Sequence, residues 1–151
     1  MPSTVVDFDT LLTLSGKDLG VTDYREITQQ QVNLFADATD DHQWIHVDPE
    51  RAKDGPFGAP IAHGFLTLSL IIPFWGELFD VDGVTTKVNY GLDKVRFTSP
   101  VKVGSKVRMK GEIAEVTEVK GGAQIKVNAT IEIEGQERPA VVAEFLARFY
   151  K

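Results

Sequence analysis

The sequence predicts an α+β fold in which an antiparallel β-sheet wraps around a central buried helix, as a single domain over residues 1–151. Beyond Gly83, apolar and polar residues alternate with period two through several long runs, the pattern of strands with one dry face and one wet face. The segment from Ile61 to Trp75, IAHGFLTLSLIIPFW, is apolar on nearly every face, which marks a helix covered on all sides. At 151 residues the chain suits one sizeable core, whereas two domains would each be small. A sheet with one apolar face needs cover, and the apolar helix is the segment able to provide it.

Residues 4–14 read as a short opening, with a helical turn ended by Ser15-Gly16, and Asp18 to Tyr24 as a brief strand. Thr28 is placed to cap a helix, with Gln31 at the capping-box position and Val32, Phe35 and Ala36 on one apolar face. That helix should end near Thr39, leaving Asp40 and Asp41 at the negative end of its dipole, an unfavourable place for a carboxylate. Trp44, Ile45 and Val47 anchor the next turn, Asp48-Pro49-Glu50 starts a short helix, and Lys53 to Pro60 is a Gly/Pro-rich loop. Pro73 should kink or end the apolar helix.

In residues 84–99 a strand is expected with Val95 and Phe97 inward and Lys94 and Arg96 outward. Lys106 to Val119 forms the next, and its apolar parity shifts after Ile113 to Ala114 and Val116, which predicts a bulge. Gly121-Gly122 reads as a hairpin turn. Ala123 to Ile133 alternates strictly, Gly135-Gln136 turns the chain, and Val141 to Phe149 alternates again. An edge strand in such a half-wrapped sheet invites pairing with a second copy, so a homodimer is expected.

Composition narrows the function. Net charge is −6, which argues against non-specific nucleic-acid binding. The charge is uneven: residues 1–83 hold 4 basic and 14 acidic side chains, residues 84–126 hold 9 basic and 4 acidic. The basic stretch falls mostly on the solvent faces of strands, although it could meet a small polyanion. No cysteine is present, so thiolate and disulfide chemistry are excluded and a reducing cytoplasm is the expected setting. The longest uncharged run is broken by glycines and prolines, so no membrane span is expected.

The chemistry concentrates between Phe35 and Leu70. His42, His46 and His63, all the histidines of the chain, fall within 22 residues, with Asp40 and Asp41 just ahead of the first. A carboxylate and an imidazole holding one water can move protons to and from a substrate carbon, in either assignment of roles. Gly64 lies in the first turn of the apolar helix, where N–H groups lack intrahelical partners and no Cβ blocks an approaching oxygen. His63 is read mainly as a hydrogen-bonded residue at the helix start. The sharpest rival is a metal site, with His42 and His46 four apart and Asp40, Asp41 and His63 nearby, but that spacing joins two ligands only on a helix.

Three segments resemble the (R)-specific enoyl-CoA hydratases of the MaoC-like group. Asp40-Asp41-His42-Gln43-Trp44-Ile45-His46 is similar to that family's Gly-Asp-x-Asn-Pro-x-His signature, with Asp40, Gln43 and Trp44 as departures. Ala59-Pro60-Ile61-Ala62-His63-Gly64 matches a His-Gly pair opening the central helix, and Arg96-Phe97-Thr98-Ser99-Pro100-Val101 matches an Arg-Phe strand followed by Pro-Val. The likeness spans roughly residues 25–150. It implies the hot-dog fold and a hydro-lyase acting on acyl-CoA thioesters. It also implies Asp41 and His46 as the catalytic pair, and Gly64 with His63 at the thioester oxygen. No metal and no resident cofactor are expected, since coenzyme A would enter as part of the substrate. An acyl-carrier-protein dehydratase, a hot-dog thioesterase and a non-catalytic subunit shaping an acyl tunnel are the competing readings.

Overall fold

The computed structural model describes residues 2–151. The chain opens with strand β1 (Thr4–Asp7) and helix α1 (Phe8–Leu11), followed by strands β2 (Asp18–Val21) and β3 (Arg25–Glu26). Helices α2 (Gln29–Thr39), α3 (Trp44–Val47) and α4 (Pro49–Ala52) lead into the central pair, α5 (Gly64–Ser69) and α6 (Ile71–Leu78). Strands β4 (Phe79–Asp82), β5 (Thr86–Phe97), β6 (Lys106–Val119), β7 (Gly122–Ile133) and β8 (Val141–Tyr150) complete it. The main sheet is antiparallel in the order β2-β6-β7-β8-β5, with β3 also pairing β6.

The alternating runs form the expected strands. Ile125, Val127, Ala129 and Ile131 of β7 are buried, as are Val141, Ala143 and Phe149 of β8. They close a core over Ile71, Phe74 and Leu78 of α6. Leu78 sits so close to β6 that a Cβ on Gly111 would lie 3.0 Å from it, which explains a glycine on the inward face of that strand. The bulge falls between Ile113 and Glu115, where the parity shifts. The β6–β7 turn is Lys120-Gly121, one residue earlier than expected. Gly121 has φ +80° and supplies the left-handed turn, whereas a Cβ on Gly122 would meet the Phe149 carbonyl oxygen at 2.1 Å.

Three further expectations need correction. Residues 4–7 form a strand before the helical turn, paired in parallel with β4 from Thr4↔Phe79 to Asp7↔Asp82. Four residues joined to a partner far along the chain carry too little local pattern to reveal the pairing. The apolar helix starts at Gly64 instead of Ile61 and breaks at Leu70. Pro73 accounts for a break upstream of itself: it has no N–H for the carbonyl of Ser69, four residues back, and its ring crowds that carbonyl, so the first piece ends at Ser69. On β5, Val95 is half-buried against the core as expected, but Phe97 is 49% exposed. β5 is an edge strand, and Val88, Tyr90 and Leu92 on it are exposed as well.

Candidate active site

α2 begins where Thr28 Oγ1 accepts the Gln31 N–H at 3.1 Å, the N-cap expected from its sequence. It ends at Thr39 with Asp40 in the left-handed region, φ 64° and ψ 24°. Asp40 is the one non-glycine residue with positive φ among the described residues, a conformation that aspartate tolerates better than most. This turn throws the side chains of Asp40 and Asp41 in different directions. The Asp40 carboxylate is almost fully exposed and lies 3.7 Å from His42 Nδ1. His42 also meets Asp37 through Nε2 at 2.9 Å and stays at the surface. Asp41, by contrast, joins His46 and His63: one side-chain ligand atom from each lies within 4.8 Å of the others.

His46 lies on α3 and is buried. Its Nδ1 is 2.6 Å from the Ile61 carbonyl oxygen. A carbonyl can only accept, so Nδ1 carries the hydrogen and Nε2 of the neutral ring is a bare acceptor. From the other side of the turn, Gln29 Nε2 donates to the His46 backbone carbonyl at 2.8 Å. Burial holds the His46 imidazole below the ordinary histidine range; the Ile61 hydrogen bond pulls it up, His63 pushes it down and Asp41 pulls it up. The sign matters for stability. The unfolded chain takes this proton more readily, so stability is full above the ordinary histidine value and is lost as pH falls through the lowered folded value.

His63 is the residue just before α5, and it too is buried. Its Nε2 lies 3.0 Å from the Asp41 backbone carbonyl. Its ring stacks on His46 with centroids 3.9 Å apart at 23°, and Phe35 lies 4.8 Å away on a tilted plane. Imidazole lone pairs lie in the ring planes, so two stacked rings aim them side by side instead of converging on one ion. Nδ1 of His46 and Nε2 of His63 are also occupied as donors. The His42–His46 pair on which the rival metal reading rests is not brought together: His42 faces Asp37 at the surface, whereas His46 is buried.

Gly64 is the first residue of α5. It lines a cavity of about 300 Å³ together with Ile61, Ala62, Thr67, Phe97 and Val101 among others. The segment from Ile61 to Gly64 is tied down at its start: Ile61 N–H donates to the Ile45 carbonyl at 3.0 Å, and Ala62 N–H to that of Val101 at 2.8 Å. One short stretch thus carries the carbonyl that orients His46, the ring stacked on it, and the glycine N–H beside the cavity. Sequence reasoning missed Ile61 and Gln29. A backbone acceptor leaves no side-chain signature, and Gln29 is an ordinary polar residue at a helix start.

Comparison with known proteins agrees with this architecture. Residues 12–136 match the MaoC-like domain, most of the chain. The chain belongs to the MaoC-like dehydratase family. This MaoC-like protein is 51% identical over 140 residues to the 3-hydroxyacyl-thioester dehydratase Z of Mycobacterium tuberculosis, covering 92% of this chain and 93% of the relative. It is 44% identical over 135 residues to Nodulation protein N of Rhizobium leguminosarum bv. viciae, covering 87% and 83%. The solved (R)-hydratase of A. caviae involved in PHA biosynthesis superposes with a TM-score of 0.70 at 26% identity, covering 88% of this chain and 94% of that one. The fold is the hot-dog fold, and the family is one of hydratases and dehydratases.

Proposed function

We propose that this MaoC-like protein adds water across the double bond of a trans-2-enoyl-CoA to give the (R)-3-hydroxyacyl thioester, or runs the reverse dehydration. The observation that carries the reading is the Nδ1–H bond from His46 to Ile61, which leaves Nε2 bare on the ring grouped with the Asp41 carboxylate. In hydration, His46 Nε2 takes a proton from a water whose other hydrogen is held by Asp41. The water oxygen bonds to the β-carbon while the π electrons move onto the thioester oxygen. The imidazolium then delivers its proton to the α-carbon, so one water has been added and both side chains are restored. The Gly64 N–H meets the developing negative oxygen, and the cavity beside it takes the thioester. No resident cofactor or metal is needed for these steps, and coenzyme A is part of the substrate.

The test is loss of enoyl absorbance with crotonyl-CoA and longer enoyl-CoAs, run beside a free-thiol assay. Thiol release without hydration would make the protein a thioesterase, and inertness in both assays would favour a non-catalytic subunit. Turnover confined to enoyl groups on an acyl carrier protein would change the carrier and leave the chemistry standing. The pH profile is a further check. Activity requires neutral His46, so kcat/KM should fall on the acid side with a midpoint below that of ordinary histidine. A midpoint above it would count against His46 as the base.

We also propose a homodimer joined along β5. This long edge strand exposes Val88, Tyr90, Leu92 and Phe97, and Phe65 of α5, 70% exposed, stands edge-on to Phe97 at 6.0 Å. An exposed apolar edge is a template for pairing with another chain. A second copy of the chain carries the same apolar edge and can pair with it about a two-fold axis. Light scattering at micromolar concentration should report about twice 16.7 kDa. Leu92→Lys on this edge should shift the species toward monomer, and an active wild-type monomer would overturn the arrangement.

A further inference from the structure

We propose that His63 is a positioning residue, one ring that holds both members of the Asp41–His46 pair in place, and this rests on reading that pair as catalytic. Two contacts carry it. His63 Nε2–H donates to the Asp41 backbone carbonyl at 3.0 Å, pinning the turn that presents the Asp41 carboxylate. The face of the same ring stacks on His46 at 3.9 Å and 23°. The Ile61 carbonyl fixes His46 within its own plane, and the stack resists tilting out of it. Neither contact alone leaves the ring a single orientation, whereas together they do.

The cost of keeping a histidine here points the same way. With the hydrogen on Nε2, Nδ1 is a bare acceptor, and it is buried with no hydrogen-bond partner. Leaving a buried polar atom unpaired forfeits its hydration with nothing in return. A role limited to filling space between Phe35 and His46 would be met at no such cost by an apolar ring. The donor at Nε2 is therefore the reason for an imidazole at this position, and the unpaired Nδ1 is its consequence.

Three variants separate the contacts. His63→Gln keeps an amide N–H for the Asp41 carbonyl and loses the stack. His63→Phe keeps a ring and loses the donor, and His63→Ala loses both. Misplacing a reacting group by about 1 Å costs up to about 10²-fold in rate. We expect His63→Ala to lower kcat by about 10²-fold with KM within about threefold, and each of the others to recover part of that loss. In His63→Gln the acid limb of kcat/KM should also move toward the ordinary histidine value, because His46 loses a neighbour that holds it down. The inference is overturned if folded His63→Gln and His63→Phe keep wild-type kcat and differ only in melting temperature. It is equally overturned if the loss lies in KM, which would make His63 a substrate contact. If His63→Ala does not fold, the other two variants carry the test. Full activity in Asp41→Asn and His46→Gln would sink the parent reading instead, so the two failures are distinguishable.

Discussion

Asp41→Asn and His46→Gln will each lower kcat by about 10²–10⁴-fold, the usual cost of losing a positioned acid or base. Asn keeps the shape of Asp41 and the backbone carbonyl that His63 holds, and the Asp41 side chain is exposed, so stability should barely change. His46 is different. It is buried and bonded to Ile61, so His46→Ala would orphan that carbonyl and cost about 1–3 kcal/mol as well. Gln offers the carbonyl an N–H and is the cleaner probe. Because both groups act on one water, the double variant should be little slower than either single one. Asp40→Asn is the control, with near-normal turnover expected, since that carboxylate faces solvent and His42. An inactive Asp40→Asn beside an active Asp41→Asn would move the chemistry one residue upstream. Steady-state rates on enoyl-CoA, with melting temperatures of the same samples, decide it.

Gly64→Ala should lower kcat by about 10²–10³-fold, as removal of one oxyanion donor does in other enzymes. The methyl would stand in the cavity itself, 3.0 Å from the Phe97 ring. Phe97 is half-exposed and can swing aside, so the fold should lose little. The methyl would remain where the thioester oxygen must approach the N–H, and the loss should appear in kcat because charge develops on that oxygen only in the transition state. If the glycine served packing alone, the variant would melt earlier and turn over normally. Proline at 64 is the poorer probe, since it would remove the N–H and disturb the helix start together.

Much of this architecture was legible because local patterns and tertiary needs agree. β7 alternates strictly and is buried on one face; Thr28 caps α2; the parity shift at Ile113 marks a real bulge. Reading failed where a residue answers to something remote. β1 pairs with β4 across most of the first half of the chain, which no window of residues 4–14 contains. Phe97 alternates as if inward, yet β5 has no neighbour on its outer edge and leaves it half in solvent. In the site, Asp41, His46 and Gly64 are singled out by the resemblance of their segments to the family's motifs, and the structure groups Asp41 with His46 and sets Gly64 beside a cavity. The stack of His63 on His46 and the Ile61 carbonyl could not be read in this way, because ring planes and backbone acceptors leave no trace in residue identity.

The interruption at Leu70 divides responsibilities along the central apolar segment. Behind it, α6 buries Ile71, Phe74 and Leu78 against the sheet. Ahead of it, six residues of α5 carry Gly64 at one end and break off at the other. A helix that short adds little macrodipole of its own, so in the proposed mechanism the pull on an anionic oxygen would come from the local N–H and not from a long column of peptides. Pro73 also removes the one ladder hydrogen bond that would join the Ser69 carbonyl to the second piece. Substitutions in α6 should therefore be felt as heat sensitivity and those at the start of α5 as slow turnover. A lineage carrying this chain could reshape the apolar wall where half-exposed Ile72 meets buried Trp75 while leaving the Gly64 end untouched.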